Sequence, residues 1–395
     1  MTPYHAADGI TLWHGDALKL SKFIEPESVD LLITSPPYWS LRSYQDGGEH
    51  YDGQIGSEES PSAFIDALVA CTADWVKVLK PSGSMFVNLG DKYAVSGGQQ
   101  ASDGIPAKSL MGLPWRYAIR CIDQLGLILR AEICWSKPNN LPESVQDRVR
   151  RSHEQWFHLT RQGRYFAAVD EVREPGDAGN TATSRSEFTH HRSGDTHRAL
   201  RRDPEMFNPL GKLPGSVWSI PSEPLQVPDH VGVDHFAAFP TEWPRRLILG
   251  WSPTGICLEC GEGRRPVVDV ERDLSKSVGP SMVYGAGRHG QNGSTLRSTA
   301  EASITGYACA CPTPDAPTRP AVICDPFGGT GTVAAVARAL GRHAHHVDLS
   351  RDYLRLAQWR IWDEPTHRKI RDRTGLRTPQ PPAIEGQVSL FGDVA

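Results

Sequence analysis

Val322-Ile323-Cys324 is a short apolar run that leads straight into Asp325-Pro326-Phe327-Gly328-Gly329-Thr330-Gly331-Thr332, followed by an Ala/Val-rich stretch through Leu340. The run predicts a buried strand and the stretch behind it a helix, joined by a glycine turn. The next strand is expected at about residues 344–347 and ends in Asp348. Strand, turn, helix and strand in this order constrain the chain to a layered α/β architecture. Glycines let the backbone pass close to a ligand and bring the helix N-terminus to bear on it. An acidic residue about twenty positions after the loop is placed to accept hydrogen bonds from ribose hydroxyls.

The N-terminal half shows the same alternation. Residues 11–14 and 29–34 read as strands around a short helix, and Ser60-Pro61 offers an N-cap with a first-turn proline for a longer one. Phe64, Leu68, Trp75 and Leu79 mark its apolar stripe, and Pro81-Ser82-Gly83 is expected to stop it. Residues 84–89 and 127–135 read as further strands, separated by a helix near 114–124. Each end of the chain holds only part of such a sheet. The two halves should therefore close into one domain, with the glycine loop beside the segment that follows the 29–34 strand.

That segment is Thr34-Ser35-Pro36-Pro37-Tyr38-Trp39. Two prolines fix the backbone after a strand, so Ser35, a prolyl carbonyl and an aromatic ring are held around one flat, polar target. Alone, it reads equally well as a proline-stiffened turn. With the glycine loop it resembles the S-adenosylmethionine-dependent DNA amino-methyltransferases, which modify cytosine N4 or adenine N6. Because Ser35-Pro36-Pro37-Tyr38 precedes Phe327-Gly328-Gly329-Thr330-Gly331, the order is similar to the permuted beta group of that family. Gly15-Asp16-Ala17 resembles its adenine-side acidic turn, and His235-Phe236-Ala237-Ala238-Phe239-Pro240 the segment lining the methionine end of the cofactor. Pro81-Ser82-Gly83-Ser84-Met85-Phe86-Val87 and Trp135-Ser136-Lys137-Pro138-Asn139 resemble its later strands.

The resemblance implies a Rossmann-like α/β methyltransferase sheet, mostly parallel, of about seven strands with helices on both faces. It implies catalytic roles for Ser35, Pro36, Pro37 and Tyr38. S-adenosylmethionine would be bound by Asp16, Thr34, His235, Phe239, Pro240, Asp325, Phe327, Gly328, Gly329, Gly331, Thr332 and Asp348. An amino nitrogen on a base is a poor nucleophile, because its lone pair is delocalised into the ring. The Ser35 hydroxyl and Pro36 carbonyl can accept the two amino hydrogens and favour a pyramidal nitrogen, while Tyr38 stacks on a base flipped from the duplex. Cytosine C5 chemistry needs a cysteine nucleophile, usually in a Pro-Cys pair, and no such dipeptide occurs. In this family a serine at the first position is typical of cytosine-N4 enzymes, and Asp or Asn of adenine enzymes. Cytosine N4 is therefore the favoured target. Adenine N6, an RNA or protein-amide substrate, and a zinc-stabilised DNA-binding protein without catalysis stay open as alternatives.

The formal net charge of -4 means that a nucleic-acid footprint must be a local patch. Arginines recur from Arg148 to Arg202, including Arg148, Arg150, Arg151, Arg198, Arg201 and Arg202, and suit phosphate contacts and guanine recognition. Double-stranded DNA is the expected partner, and a separately encoded restriction endonuclease is compatible with the resemblance; the sequence does not decide between monomer and dimer. Eight cysteines do not suggest a disulfide scaffold, and Cys71, Cys121, Cys134 and Cys324 sit in apolar runs. Cys257-Leu258-Glu259-Cys260-Gly261 has the form of a zinc knuckle, and Cys309-Ala310-Cys311 supplies a second pair of thiolates for a structural Zn2+. The alternative is two exposed thiol pairs in a loop.

These features divide the chain into a catalytic half at 1–145, a target-recognition region at 146–215 and a return segment lining the cofactor site at 216–254. A zinc-ribbon-like insertion at 255–318, a cofactor-binding half at 319–365 and a tail at 366–395 follow. No apolar run is long enough to span a bilayer and no signal-peptide pattern opens the sequence, so a cytoplasmic, DNA-associated location is expected.

Overall fold

The computed structural model describes residues 2–40, 45–46, 49–50, 54–95, 103–140, 142–175, 208–232, 238–273, 299–313 and 315–374. Its centre is a sheet of nine strands, which in chain order are β1 His5–Ala7, β2 Ile10–His14, β3 Val29–Thr34, β4 Leu79–Leu89, β5 Ile128–Ser136, β6 His153–Thr160, β7 Val217–Ser219, β8 Val322–Asp325 and β9 His343–Asp348. In space they run β1-β2-β9-β8-β3-β4-β6-β5-β7. The strands β2, β9, β8, β3 and β4 are parallel neighbours, and β6 lies antiparallel between β4 and β5. The two halves of the chain close as expected: Ile323 and Cys324 of β8 pair with Leu31 and Leu32 of β3. The sheet has nine strands rather than about seven because two three-residue edge strands, β1 and β7, extend it.

Alternating side chains of the strands enter two cores. Leu32, Met85, Val87, Phe157 and Cys324 face one layer, where α1 (Pro61–Val78) and α2 (Leu113–Leu125) pack. Leu31, Ile33, Phe86, Trp156 and Ile323 face the other, covered by α3 (Glu242–Trp251), α4 (Thr332–Ala339) and α5 (Arg351–Trp362). Ser60 caps α1 by accepting the Ala63 N–H, with Pro61 in the first turn. The helix ends at Val78 and β4 begins at Leu79, so Pro81-Ser82-Gly83 lies inside a strand, at a register shift opposite β3, rather than beyond a helix stop. Four tryptophans knit the second layer: Trp243 stacks on Trp156 and Trp218 at 4.7 and 4.9 Å, and meets Trp135 edge-on.

Two expected boundaries change. His153–Thr160, inside the span read as target recognition, is an internal strand of the catalytic sheet. Residues 366–374 belong to α6 (Glu364–Thr374), whose Ile370 is buried in the second core, so the tail proper begins after Thr374. Among the described residues no helix is long and apolar enough to cross a membrane.

Candidate active site

The strand order reverses between β8 and β3, and in open α/β sheets ligands bind at the carboxyl ends of the strands on either side of such a reversal. The glycine loop leaves β8 there and the Ser35 segment leaves β3. A direct bond joins them: Thr34 Oγ1 donates to Asp325 Oδ1 at 2.8 Å, and Phe327 N donates to the same oxygen at 3.2 Å. Burial pushes the Asp325 carboxyl up to about 7, against the pull of those two donors and with the charge of Asp348 adding to the rise.

A cavity of ≈ 280 Å³ opens over this junction. Phe327, Gly328, Gly329 and Thr332 line one side, Ser35 and Pro37 another, and Asp16, Phe239 and Asp348 close it. Asp348 is fixed by the Gly329 N–H on Oδ2 and the Ser350 N–H on Oδ1, both at 2.8 Å. Asp16 caps the turn after β2 by accepting the Leu18 N–H, and pairs with Lys19. Gly328 lies flat on the ring of the fully buried His346, where a Cβ would fall 2.2 Å from Cε1. Burial holds that imidazole at about 3, so it is neutral. Gly331, at φ +77°, starts α4 where a Cβ would meet Ala357 at 2.9 Å. From α5, the buried Arg360 reaches back and donates from one guanidinium nitrogen to Thr330 Oγ1 at 2.8 Å and Thr332 Oγ1 at 2.7 Å.

On the other wall, Ser35 Oγ donates to Asn88 Oδ1 at 3.2 Å, which turns its lone pairs away from Asn88. The Tyr38 hydroxyl sits 2.7 Å from both Asn88 Oδ1 and Glu154 Oε2. Glu154 is in turn paired with Lys137, whose ammonium lies 4.0 Å from the Trp135 ring centroid. Gly90 passes so close to the Tyr38 ring that a Cβ would stand 2.6 Å from Cε2. The ring is thus clamped by polar contacts at its hydroxyl and by backbone at its edge.

The expected residues sort by depth. Asp16, Phe239, Phe327, Gly328, Gly329, Thr332, Asp348, Ser35 and Pro37 line the cavity. Thr34, Pro36, Pro240 and Asp325 are buried and support it from behind, while His235 lies outside the described residues. Asn88, Glu154, Lys137 and Arg360 were not anticipated. Each is a single polar residue on an element distant in sequence, and only the order of the strands brings it to the site.

Arg148, Arg150 and Arg151 precede β6, whose His153 pairs with Ser136 at the end of β5, so they stand at the catalytic edge of the sheet. Arg148 pairs with Glu143 and lies 3.8 Å from the Tyr93 ring centroid, Arg151 is 3.6 Å from Asp91, and Arg150 is exposed with one bond to Asn140 O. Arg198, Arg201 and Arg202 fall outside the described residues. The thiols of Cys257, Cys260, Cys309 and Cys311 converge at the other end of the sheet.

Residues 29–257 match the model of a family described as DNA methylase, of the N6/N4 methyltransferase type. The Type II methyltransferase M.Cfr9I of Citrobacter freundii is 34% identical over 265 residues, covering 63% of this chain and 74% of that protein. M.SmaI of Serratia marcescens is 33% identical over 280 residues, covering 66% and 82%. Among solved structures, the PvuII DNA methyltransferase (cytosine-N4-specific) superposes with a TM-score of 0.54 at 18% identity over 94% of each chain, a likeness of fold.

Proposed function

Because the chain belongs to the N6/N4 DNA methylase family, we propose that it transfers a methyl group from S-adenosylmethionine to the exocyclic N4 of a cytosine drawn out of duplex DNA. Methylation of a base amino group in DNA is the family's activity; cytosine is the finer reading. It is carried by one observation: position 35 holds a neutral serine whose proton goes to Asn88.

The cavity suits this donor, with a glycine loop for close approach and a carboxylate, Asp348, at the position for ribose hydroxyls. When bound there, the cofactor would supply an electrophilic methyl sulfonium for transfer to the amino nitrogen, its sulfur leaving as a neutral thioether. The chain's own part is positioning. With its hydrogen committed to Asn88, Ser35 Oγ presents lone pairs to one amino hydrogen, and the Pro36 carbonyl takes the other. Both acceptors weaken the conjugation of the nitrogen with the ring. Tyr38 holds the base face, clamped by Asn88, Glu154 and Gly90. The departing proton needs no strong base, since the nitrogen is acidic once it carries the fourth bond, and water accepts it. At the catalytic edge Arg148, Arg150 and Arg151 contact DNA phosphates.

The test is transfer of labelled methyl groups to duplex DNA of varied sequence, followed by digestion to nucleosides. Label in N4-methylcytosine is expected. Label in N6-methyladenine would overturn the choice of base, and absence of transfer from a protein that binds the cofactor would overturn the activity.

A further inference from the structure

The insertion between α3 and β8 leaves and rejoins the sheet at the pole away from the catalytic edge. Helix α3 starts at Glu242, three residues after the cavity-lining Phe239, and runs down to Trp251, and β8 climbs back to Asp325. The six residues of β9 span the same depth, about 20 Å at about 3.3 Å per residue. At the far pole, Ile256–Cys257 pairs with Thr318–Arg319, and a longer hairpin, Arg265–Asp273 with Thr299–Ala308, projects from it. Cys257 and Cys260 stand in the turn before this hairpin, and Cys309 and Cys311 in the segment after it.

All four sulfurs lie within 4.8 Å of one another. Zinc-to-thiolate bonds of about 2.3 Å in a tetrahedron set the sulfurs about 3.8 Å apart, so a contraction of about an ångström completes the shell. The backbone around them is already that of a metal knuckle. The turn closes with Gly261 N donating to Cys257 O at 3.0 Å and Cys257 N to Glu262 O at 2.9 Å, and Gly261 takes φ +73°. Amide N–H groups of Cys260 and Glu259 point at the Cys257 sulfur, that of Glu262 at Cys260 and that of Thr313 at Cys311. Donors two or three residues beyond these three sulfurs are of the kind that stabilise thiolate charge. Cys257 is buried, Cys309 and Cys311 are half-buried and Cys260 is exposed, yet the four thiols converge from two segments far apart in sequence, which a loop without a ligand does not require.

We propose that Cys257, Cys260, Cys309 and Cys311 bind a single zinc ion in a closed tetrathiolate site that staples both ends of the insertion at the pole opposite the active site. With no open position for water or substrate, the ion is structural. Its load path into the enzyme is visible. Tyr307, two residues before Cys309, donates to Glu171 at 2.6 Å. At the insertion's other end Ser252 O accepts from the buried Arg342, which precedes β9, at 3.2 Å. Binding must also displace the thiol proton that Cys311 shares with Glu259 Oε2 across 3.4 Å, so uptake releases protons and weakens at low pH.

Elemental analysis of the full-length protein after dialysis should find a single zinc per chain, and a mercurial reagent should release it as four thiols react. Cobalt substituted for zinc should give the intense thiolate-to-metal charge-transfer bands of a tetrahedral site. The paired substitution Cys309→Ser with Cys311→Ser should abolish zinc content, lower the Tm and leave S-adenosylmethionine affinity within about twofold. Protein that carries no zinc and takes up no cobalt overturns the proposal, as does a non-reduced mass showing disulfides among the four, or zinc retained by the paired variant.

Discussion

Tyr38 has two separable parts, a ring proposed to stack on the base and a hydroxyl held at 2.7 Å by both Asn88 and Glu154. Tyr38→Phe keeps the ring and frees it, which should lower kcat about tenfold, the size of a hydrogen bond to a charged group. Tyr38→Ala also loses the stacking, and should lower kcat by about a hundredfold or more with cofactor Kd changed less than about threefold. Single-turnover kinetics beside calorimetric cofactor titration separates these; equal loss of cofactor affinity in Tyr38→Ala would contradict the division of the site. Asp325 is a second case where one group does two jobs. The folded chain keeps its proton up to about pH 7, whereas an unfolded aspartate releases it near about pH 3.9. Its contribution to stability is therefore complete below about pH 4 and is lost as pH rises through about 7. Asp325→Asn retains an oxygen for Thr34 and Phe327 and cannot ionise. The Tm difference between variant and parent should grow in the variant's favour from about pH 5 to about pH 8, and a constant difference would show that the buried carboxyl does not titrate there.

At the scale of elements, the glycine loop is held by what lies beneath it. Arg360 joins α5 to Thr330 and Thr332, so Arg360→Met leaves two buried hydroxyls without their donor and should weaken cofactor binding by about tenfold or more, read by calorimetry. An unchanged Kd would mean that the loop holds its shape unaided. The loop itself was legible in the sequence because glycine spacing, the strand before it and the helix after it are local signals. So was α1, where Ser60, Pro61 and the stripe through Phe64, Leu68 and Trp75 act within one helix. Strand β6 was not legible. Its flanking arginines suggested a surface region, and its place antiparallel between β4 and β5 is a non-local pairing that no window of sequence contains. Arg360 and Glu154 escaped for the same reason: a lone charged residue on a helix or strand end carries no pattern until the topology sets its neighbours. The convergence of the cysteine pairs was legible from spacing at one end, Cys257 and Cys260, and from chemistry at the other.

Taken whole, the molecule has two poles. The catalytic edge carries Arg148, Arg150 and Arg151 in a protein of net charge -4, and these are the arginines proposed to meet DNA phosphates there. Arg150, exposed and bonded to Asn140 O, is the member that can turn to phosphate without breaking an ion pair. Arg150→Ala should weaken DNA binding uniformly across sequences and reduce the slope of log affinity against log salt by about 1. A loss confined to one DNA sequence would instead assign Arg150 to base reading. The closure of the sheet has a further consequence for how the polypeptide matures. Strand β8 occupies the slot between β3 and β9, yet β3 leaves the ribosome almost three hundred residues earlier, as the 291-residue separation of Thr34 and Asp325 records. Throughout that interval the nascent chain presents a bare strand edge with Val29, Leu31, Leu32 and Ile33 along it, the kind that chaperones mask and that aggregates recruit. Ribosome-stalled chains ending before Val322 should be cleaved rapidly by protease across β3, and chains extended past Asp348 with the exit tunnel cleared should become resistant. Acquisition of the native fold therefore waits for β8 and β9, and a nascent chain cannot complete the cavity at the β8–β3 junction before both have been made.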